Sequence, residues 1–140
     1  MADEFDINEF NRQIIEEFRA NGGTVTGQFA GTPLLLLHTT GAKSGKERVS
    51  PVAFKQLDGA WAVFGSKAGA PTHPDWFHNL QANPQVTIEV GAETIPVTAR
   101  VAEGDEREVI WTEHKAEMPG FAEYEKNTTR EIPVIVLESR

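Results

Sequence analysis

The apolar positions of this chain change their period as one reads along it. Ile7, Phe10, Ile14 and Phe18 recur at helical spacing, after Asp6 and Glu9 in capping-box order and before a stop at Asn21-Gly22-Gly23. This predicts an amphipathic helix within residues 1–23. Its stripe docks on a core by default; pairing with a second subunit or touching a membrane surface are the other uses of such a face. From residue 24 to 101 the pattern becomes short apolar or alternating runs at 34–40, 48–56, 61–65, 86–90 and 94–101, each of strand length. Asp58-Gly59 between the second and third runs is a hairpin signal.

Helices interrupt and follow these strands. Pro74 suits a first helical turn, Trp76, Phe77 and Leu80 supply apolar contacts, and Asn83-Pro84 ends the segment. A further helix is predicted from Asp105 to about Lys115, with Val109, Ile110 and Trp111 as its buried side. A shorter one over 120–127 sets Phe121 and Tyr124 on one face, packed against the sheet. The run Ile132-Pro133-Val134-Ile135-Val136-Leu137 reads as a final strand with Pro133 near its start. Antiparallel strands with helices inserted between them predict an α+β domain whose sheet curls into a small barrel to protect its edges. A length of 140 residues fits one such domain spanning 1–140.

Composition narrows the chemistry. With no cysteine there is no disulfide, thiolate nucleophile, iron–sulfur cluster or cysteine-based zinc site. The acidic start and an apolar stretch no longer than residues 34–37 predict a cytoplasmic protein, with loose peripheral membrane association as the one membrane option. A formal net charge of −8 disfavours nucleic acid as a partner. The distribution is more informative: Lys43, Lys46, Arg48, Lys55 and Lys67 face only Glu47 and Asp58 between residues 39 and 74, a local +3 against −11 elsewhere. Such an island suits one small polyanion. By charge alone it reads equally well as ordinary solvated lysines.

The tract Thr39-Thr40-Gly41-Ala42-Lys43-Ser44-Gly45-Lys46-Glu47-Arg48 joins two predicted strands with hydroxyls, cations and two glycines. A phosphate or carboxylate fits such a loop. It is no P-loop, having three residues between its glycines where four are required and Glu47 where a magnesium-binding hydroxyl belongs, and the Rossmann fingerprint is missing. Alone, it is a hairpin turn as readily as a ligand site. The tract from Gly65 to Leu80 again brings small residues, Lys67 and a helix start together, and a helix N-terminus favours an anion. Trp76 and His78 can line a planar ligand there, although Trp76 beside Phe77 and Leu80 favours a core role. His38, His73, His78 and His114 lack metal-ligand spacing, so no metal is expected. No nucleophile elbow surrounds Ser44 or Ser66. Tyr124, the one tyrosine, can donate a hydrogen bond or a proton.

Four tracts in order carry a resemblance: residues 36–45, 48–52, 65–71 and 74–84. Over about residues 33–137 the chain resembles the deazaflavin-dependent nitroreductases of actinobacteria, split β-barrel oxidoreductases distantly related to FMN-binding pyridoxamine-phosphate oxidases. The resemblance implies a mainly antiparallel split barrel that binds coenzyme F-420, an 8-hydroxy-5-deazaflavin with a phosphate and an oligoglutamate tail. It implies that Lys43 and Arg48, with Ser44 and nearby amides, grip the phosphate or tail, and that Ser66 and Lys67 border the deazaflavin. It also places Thr40, Ser50, Pro51, Ala68, Gly69, Ala70 and Pro71 along the coenzyme, with Trp76 and Asn79 shaping its pocket. The implied activity is hydride transfer to a small electron-poor acceptor, a quinone, activated double bond or nitroaromatic, with Tyr124 or solvent giving the proton. A non-catalytic carrier of the coenzyme and an FMN-using reductase are the alternatives, and the assembly is a monomer or homodimer. Phe121 stands where some relatives carry tyrosine, which argues against nitroimidazole-prodrug activation.

Overall fold

The computed structural model describes residues 7–25, 33–66 and 72–140, with side chains from residue 11 onward. The Asp6–Glu9 capping box, the side chains of Ile7 and Phe10, and Lys67, Ala68, Gly69, Ala70 and Pro71 lie outside the described residues. Helix α1 (Ile7–Ala20) leads into strands β1 (Leu34–Thr40), β2 (Glu47–Leu57) and β3 (Ala60–Phe64). Then follow α2 (Asp75–Ala82), β4 (Gln85–Val90), β5 (Glu93–Val101), α3 (Gly104–Glu117), α4 (Gly120–Lys126) and β6 (Val134–Ser139). The six strands close into a barrel in the order β1-β2-β3-β6-β5-β4, every neighbouring pair antiparallel. The Asp58-Gly59 turn joins β2 to β3, with Gly59 at φ 74°, a conformation glycine adopts without a Cβ penalty.

Three apolar clusters explain the strand sequences. Leu35, Leu37, Val63, Val86, Ile88, Val97, Ile135 and Leu137 fill the barrel, with Phe77 and Leu80 of α2 packed into the same cluster. Alternate residues face outward, and these too are covered: Leu34 and Leu36 pack on Ile14 and Phe18 of α1. Ala62, Phe64, Val134 and Val136 pack on Ile110, Trp111 and Phe121 of α3 and α4. Burial on both faces is why Leu34–Leu37 and Val134–Leu137 are continuous apolar runs and not alternating ones. Phe18, 1% exposed, contributes about 1.5–3 kcal/mol to holding α1 on the barrel. A polar latch adds to it: Arg19 donates to both oxygens of Glu89 at 3.1 and 2.6 Å, and His38 Nε2 meets Glu89 at 2.6 Å. The Arg19 hydrogen bonds hold Glu89 below the usual carboxylate range against the opposing effect of burial, and His38 adds to them.

Two expectations from the sequence need correction. Val109 is 56% exposed, because the buried face of α3 is Arg107, Ile110, Trp111 and His114. Those four follow i, i+3, i+4, i+7 spacing, and Val109 falls off that line. The final strand begins at Val134 and not at Ile132, because Pro133 has no backbone N–H to give a ladder and the Ile132 carbonyl is taken by a side chain of α3. Ile132 O accepts from Arg107 at 2.8 Å and Pro133 O from the Gly65 amide at 2.9 Å. No helix among the described residues is long and apolar enough to cross a membrane.

Candidate functional site

The loop between β1 and β2 is a tight, internally bonded turn. Thr39 pairs with Arg48 and Thr40 with Glu47 at the strand ends. Beyond them, Gly41 N–H donates to Lys46 O at 2.8 Å and Gly45 N–H to Gly41 O at 2.9 Å. Gly45 has φ 70°, which glycine adopts without a Cβ penalty, and a Cβ on Gly41 would lie 2.5 Å from Ser44 Oγ and so displace that side chain. Ser44 Oγ accepts the Lys46 amide at 3.2 Å. Lys43, Ser44, Lys46 and Arg48 are exposed, and among the described residues the three cations form no ion pair.

Asn79 ties this loop to α2. It is 8% exposed; its Oδ1 accepts the Ala42 amide at 2.9 Å and its Nδ2 donates to Thr39 Oγ1 at 3.2 Å. The amides of Gly41, Ala42, Gly45 and Lys46 are therefore all committed within the protein, so an anion at this loop meets side-chain charge more than backbone N–H. An Asn79→Leu substitution leaves the Ala42 amide and the Thr39 hydroxyl unpartnered, at about 1–3 kcal/mol of stability. Urea denaturation should register that loss, together with a severalfold weaker hold on any anion at Lys43. Trp76, one turn earlier, is half-buried against the barrel core. Asp75 already supplies negative charge in the first turn of α2, which makes that helix end a poor second anion site.

Strand β2 carries the loop at one end and a cavity near the other. Val52 and Phe54 pack against the barrel core while Val49 and Ala53 pack against the α1 side; by alternation Arg48 and Ser50 share the first face and Pro51 the second. Six residues separate Arg48 from Phe54, a span of about 20 Å at roughly 3.3 Å per residue. Ser66 continues from β3 and is 7% exposed. An arginine that the sequence reading passed over fixes it: Arg130 donates to Gly65 O at 3.0 Å, to Ser66 O at 2.8 Å and reaches His73 Nδ1 at 2.9 Å. Burial, then the adjacent Arg130 charge, push the His73 pKa down.

The cavity, of about 800 Å³, lies between β2 and the α3–α4 pair and includes Phe54, Lys55, His114, Met118, Phe121 and Tyr124 in its wall. Tyr124 is half-buried, its ring edge-on to Phe121 at 5.2 Å. Lys55 bonds Glu117 at 3.0 Å and approaches Glu113 at 3.5 Å. His114 is stacked on Phe64 with ring centroids 3.8 Å apart, and burial pushes its pKa down to about 4. Neither His114 nor Lys55 was singled out as a site residue by sequence reasoning, because a histidine on a helix and a lysine on a strand carry no motif. The alternation that puts Lys55 on the outer face of β2 was the one signal available.

The predicted site residues thus fall into two places. Thr40, Lys43, Ser44, Arg48 and Asn79 gather at the loop, and Tyr124 stands in the cavity. Ser50 and Pro51 lie along β2 between them, and Ser66 emerges beside that strand. Residues 10–139 match the family described as F420H(2)-dependent quinone reductase. The chain belongs to this family. An F420H(2)-dependent quinone reductase of Mycobacterium tuberculosis is 36% identical over 129 residues, covering 88% of this chain and 85% of that protein. A solved F420-H2 dependent reductase is 44% identical with a TM-score of 0.70, covering 76% of this chain and 94% of its own. Another solved structure, described as a domain-swapped dimer, is 38% identical with a TM-score of 0.72 and covers 95% of this chain and all of its own. The barrel is the split-barrel fold of these reductases, and the chain is an F420-dependent reductase whose cofactor is coenzyme F420. The donor set fits that group: three cations without an ion pair among the described residues, at an internally bonded turn, for a polyanionic tail, and a mostly apolar cavity holding the Tyr124 phenol near the other end of the same strand.

Proposed function

We propose that this chain reduces a quinone, holding coenzyme F420 along β2 and the acceptor in the cavity between β2 and the α3–α4 pair. The observation that carries this reading is the single strand joining a cationic turn, without ion pairs among the described residues, to a cavity of about 800 Å³, within the usual size range of small-molecule sites. Coenzyme F420 supplies the hydride when bound. Everything else falls to side chains: binding, orientation and delivery of one proton, since a quinone becomes a hydroquinone by gaining one hydride and one proton. Lys43 and Arg48, with Ser44 and Thr40, hold the phosphate or tail. Ser50, Pro51 and Ser66 border the body of the coenzyme. Asn79 fixes the loop's position, Trp76 backs the pocket from the barrel core, and Tyr124 gives the proton. Lys67, Ala68, Gly69, Ala70 and Pro71 belong to the same reading through the family resemblance.

Quinones are favoured over activated double bonds and nitroaromatics by the names of the relatives, and Phe121 tells against nitroimidazole-prodrug activation. A pure carrier would not need an acceptor cavity, which tells against that alternative. The relative described as a domain-swapped dimer supports a homodimer. Purified protein with reduced coenzyme should turn over menadione, while FMN in place of the coenzyme should bind far more weakly. Tyr124→Phe should lower kcat by about a hundredfold, the low end of what a positioned general acid contributes, with coenzyme Kd unchanged by fluorescence titration. An unchanged kcat would assign the proton to water, and no turnover by the native chain would remove the quinone reading.

A further inference from the structure

Among the described residues, the wall of the cavity between β2 and the α3–α4 pair holds one cation, Lys55. Its side chain is 12% exposed, whereas its partners Glu113 and Glu117, four residues apart on α3, are 58% and 60% exposed. Carboxylates so well solvated do not need a lysine, and pairs with exposed partners contribute about 0–1 kcal/mol to a fold. What the pairing does is fix an ammonium in a mostly apolar wall. Glu117 accepts from Nζ at 3.0 Å and Glu113 stands further off at 3.5 Å. An ammonium has three hydrogens to donate, so at least one N–H is left for an occupant of the cavity.

The other polar groups of the wall do not take that part. Gln56 donates along its own hairpin, to Leu57 O and Ala60 O at 3.0 Å each. His114 is 1% exposed and neutral near pH 7. Glu117 is an acceptor, and Tyr124 carries a phenol. Quinone reduction places a charge among these groups. The ring gains a hydride, which is two electrons and one proton, and its oxygens hold one negative charge until a second proton arrives. Beside Phe54, Met118, Phe121 and a carboxylate, that charge is disfavoured unless a positive donor is already in place.

We infer that Lys55 Nζ, held by Glu113 and Glu117, donates a hydrogen bond to the acceptor oxygen that becomes negative on hydride addition. Lys55 is then a catalytic residue with a part separate from that of Tyr124, which supplies the second proton. This rests on the quinone reading above and adds the group that steadies the charge between the two steps.

The probe is 2-hydroxy-1,4-naphthoquinone, which is ionised at neutral pH and spreads its charge over the ring oxygens, as the hydride adduct of a quinone does. Its Kd, read by equilibrium dialysis, should rise about tenfold in Lys55→Met, near the low end for a charged hydrogen bond, and stay close to native in Lys55→Arg. The Kd of uncharged menadione should hardly change in either, while kcat for menadione should fall about tenfold in Lys55→Met. Lys55→Met/Glu113→Gln keeps the native net charge of the three groups, one negative in both, so the weaker hold on the ionised ring should persist there. Recovery of native affinity in that double variant would reduce the effect to a distant field and overturn the inference. So would an unchanged Kd for the ionised ring in Lys55→Met, an equal rise for menadione, or a native kcat. Should Lys55→Met not fold, the Lys55 Nζ resonance of the nitrogen-15 labelled native chain decides: it should move with the ionised ring, and an unmoved resonance at saturation would overturn the contact. The two readings fail separately, because absence of menadione turnover by the native chain removes quinone reduction while the Kd contrast needs no turnover.

Discussion

Replacing Lys43 and Arg48 together by alanine should raise the Kd for reduced coenzyme by at least a hundredfold. Each cation stands at the β1–β2 turn without an ion-pair partner among the described residues, so neither must abandon an internal contact to meet a ligand. A charged hydrogen bond contributes roughly 1.5–3 kcal/mol, and two give about 3–6 kcal/mol before any shortfall from non-additivity. At roughly 1.4 kcal/mol per factor of ten the low end is about a hundredfold. Both side chains are exposed and the turn is closed by its own amides, so the melting temperature should stay within a degree or two of native, as for most surface substitutions. Salt provides a second check. Native affinity should weaken steeply between low and physiological ionic strength while the double variant responds little. Native-like affinity in the double variant would move the tail to another surface.

Arg130→Met should damage stability and coenzyme binding at once. The guanidinium spans Gly65 O, Ser66 O and His73 Nδ1, gripping the chain on both sides of residues 67–71. Methionine matches the length of the stem but leaves two carbonyls to find other donors, at about 1–3 kcal/mol for each that stays buried and unpaired. The expected result is a lower midpoint in urea and a Kd for coenzyme raised tenfold or more, because Ser66 would no longer be held beside β2. Arg130→Lys should rescue little, since an ammonium on a single stem does not reproduce a planar fork with several fixed donors. Loss of stability with unchanged Kd would show that Ser66 and its neighbours do not touch the coenzyme.

Sequence alone carried the barrel well and the site unevenly. Strand runs and turn signals are local, and the ladders start or end within two residues of the apolar runs that announced them. The β1–β2 turn was legible because glycines, hydroxyls and cations lie within ten positions. Arg130 was not: its partners Gly65 and Ser66 are 65 and 64 residues away, and nothing near position 130 announces a clamp. Asn79 reaches 37 positions back to Ala42 and 40 to Thr39. His114 illustrates a second kind of blindness. A polar residue on the buried face of α3 conceals the apolar stripe, which is also why the local pattern points to Val109 as a core residue. Local patterns report what the backbone will do, whereas contacts across the barrel decide which polar groups end up confined together.

The closed ring of strands also says where this protein should come apart. The contact between β1 and β4 has three register pairs, Leu36 with Glu89, Leu37 with Ile88 and His38 with Thr87, whereas β1 and β2 share seven. It is the narrowest of the six junctions; the bond from His38 to Glu89 lies across it, and Arg19 of α1 holds the same carboxylate. While that junction holds, no strand has a free edge, and neither a second copy nor a misfolded chain can add to the sheet by main-chain pairing. Glu89 therefore acts as a clasp on a fault line: its loss would first open β1 from β4, exposing sheet edges to neighbouring chains before the rest of the barrel had unfolded.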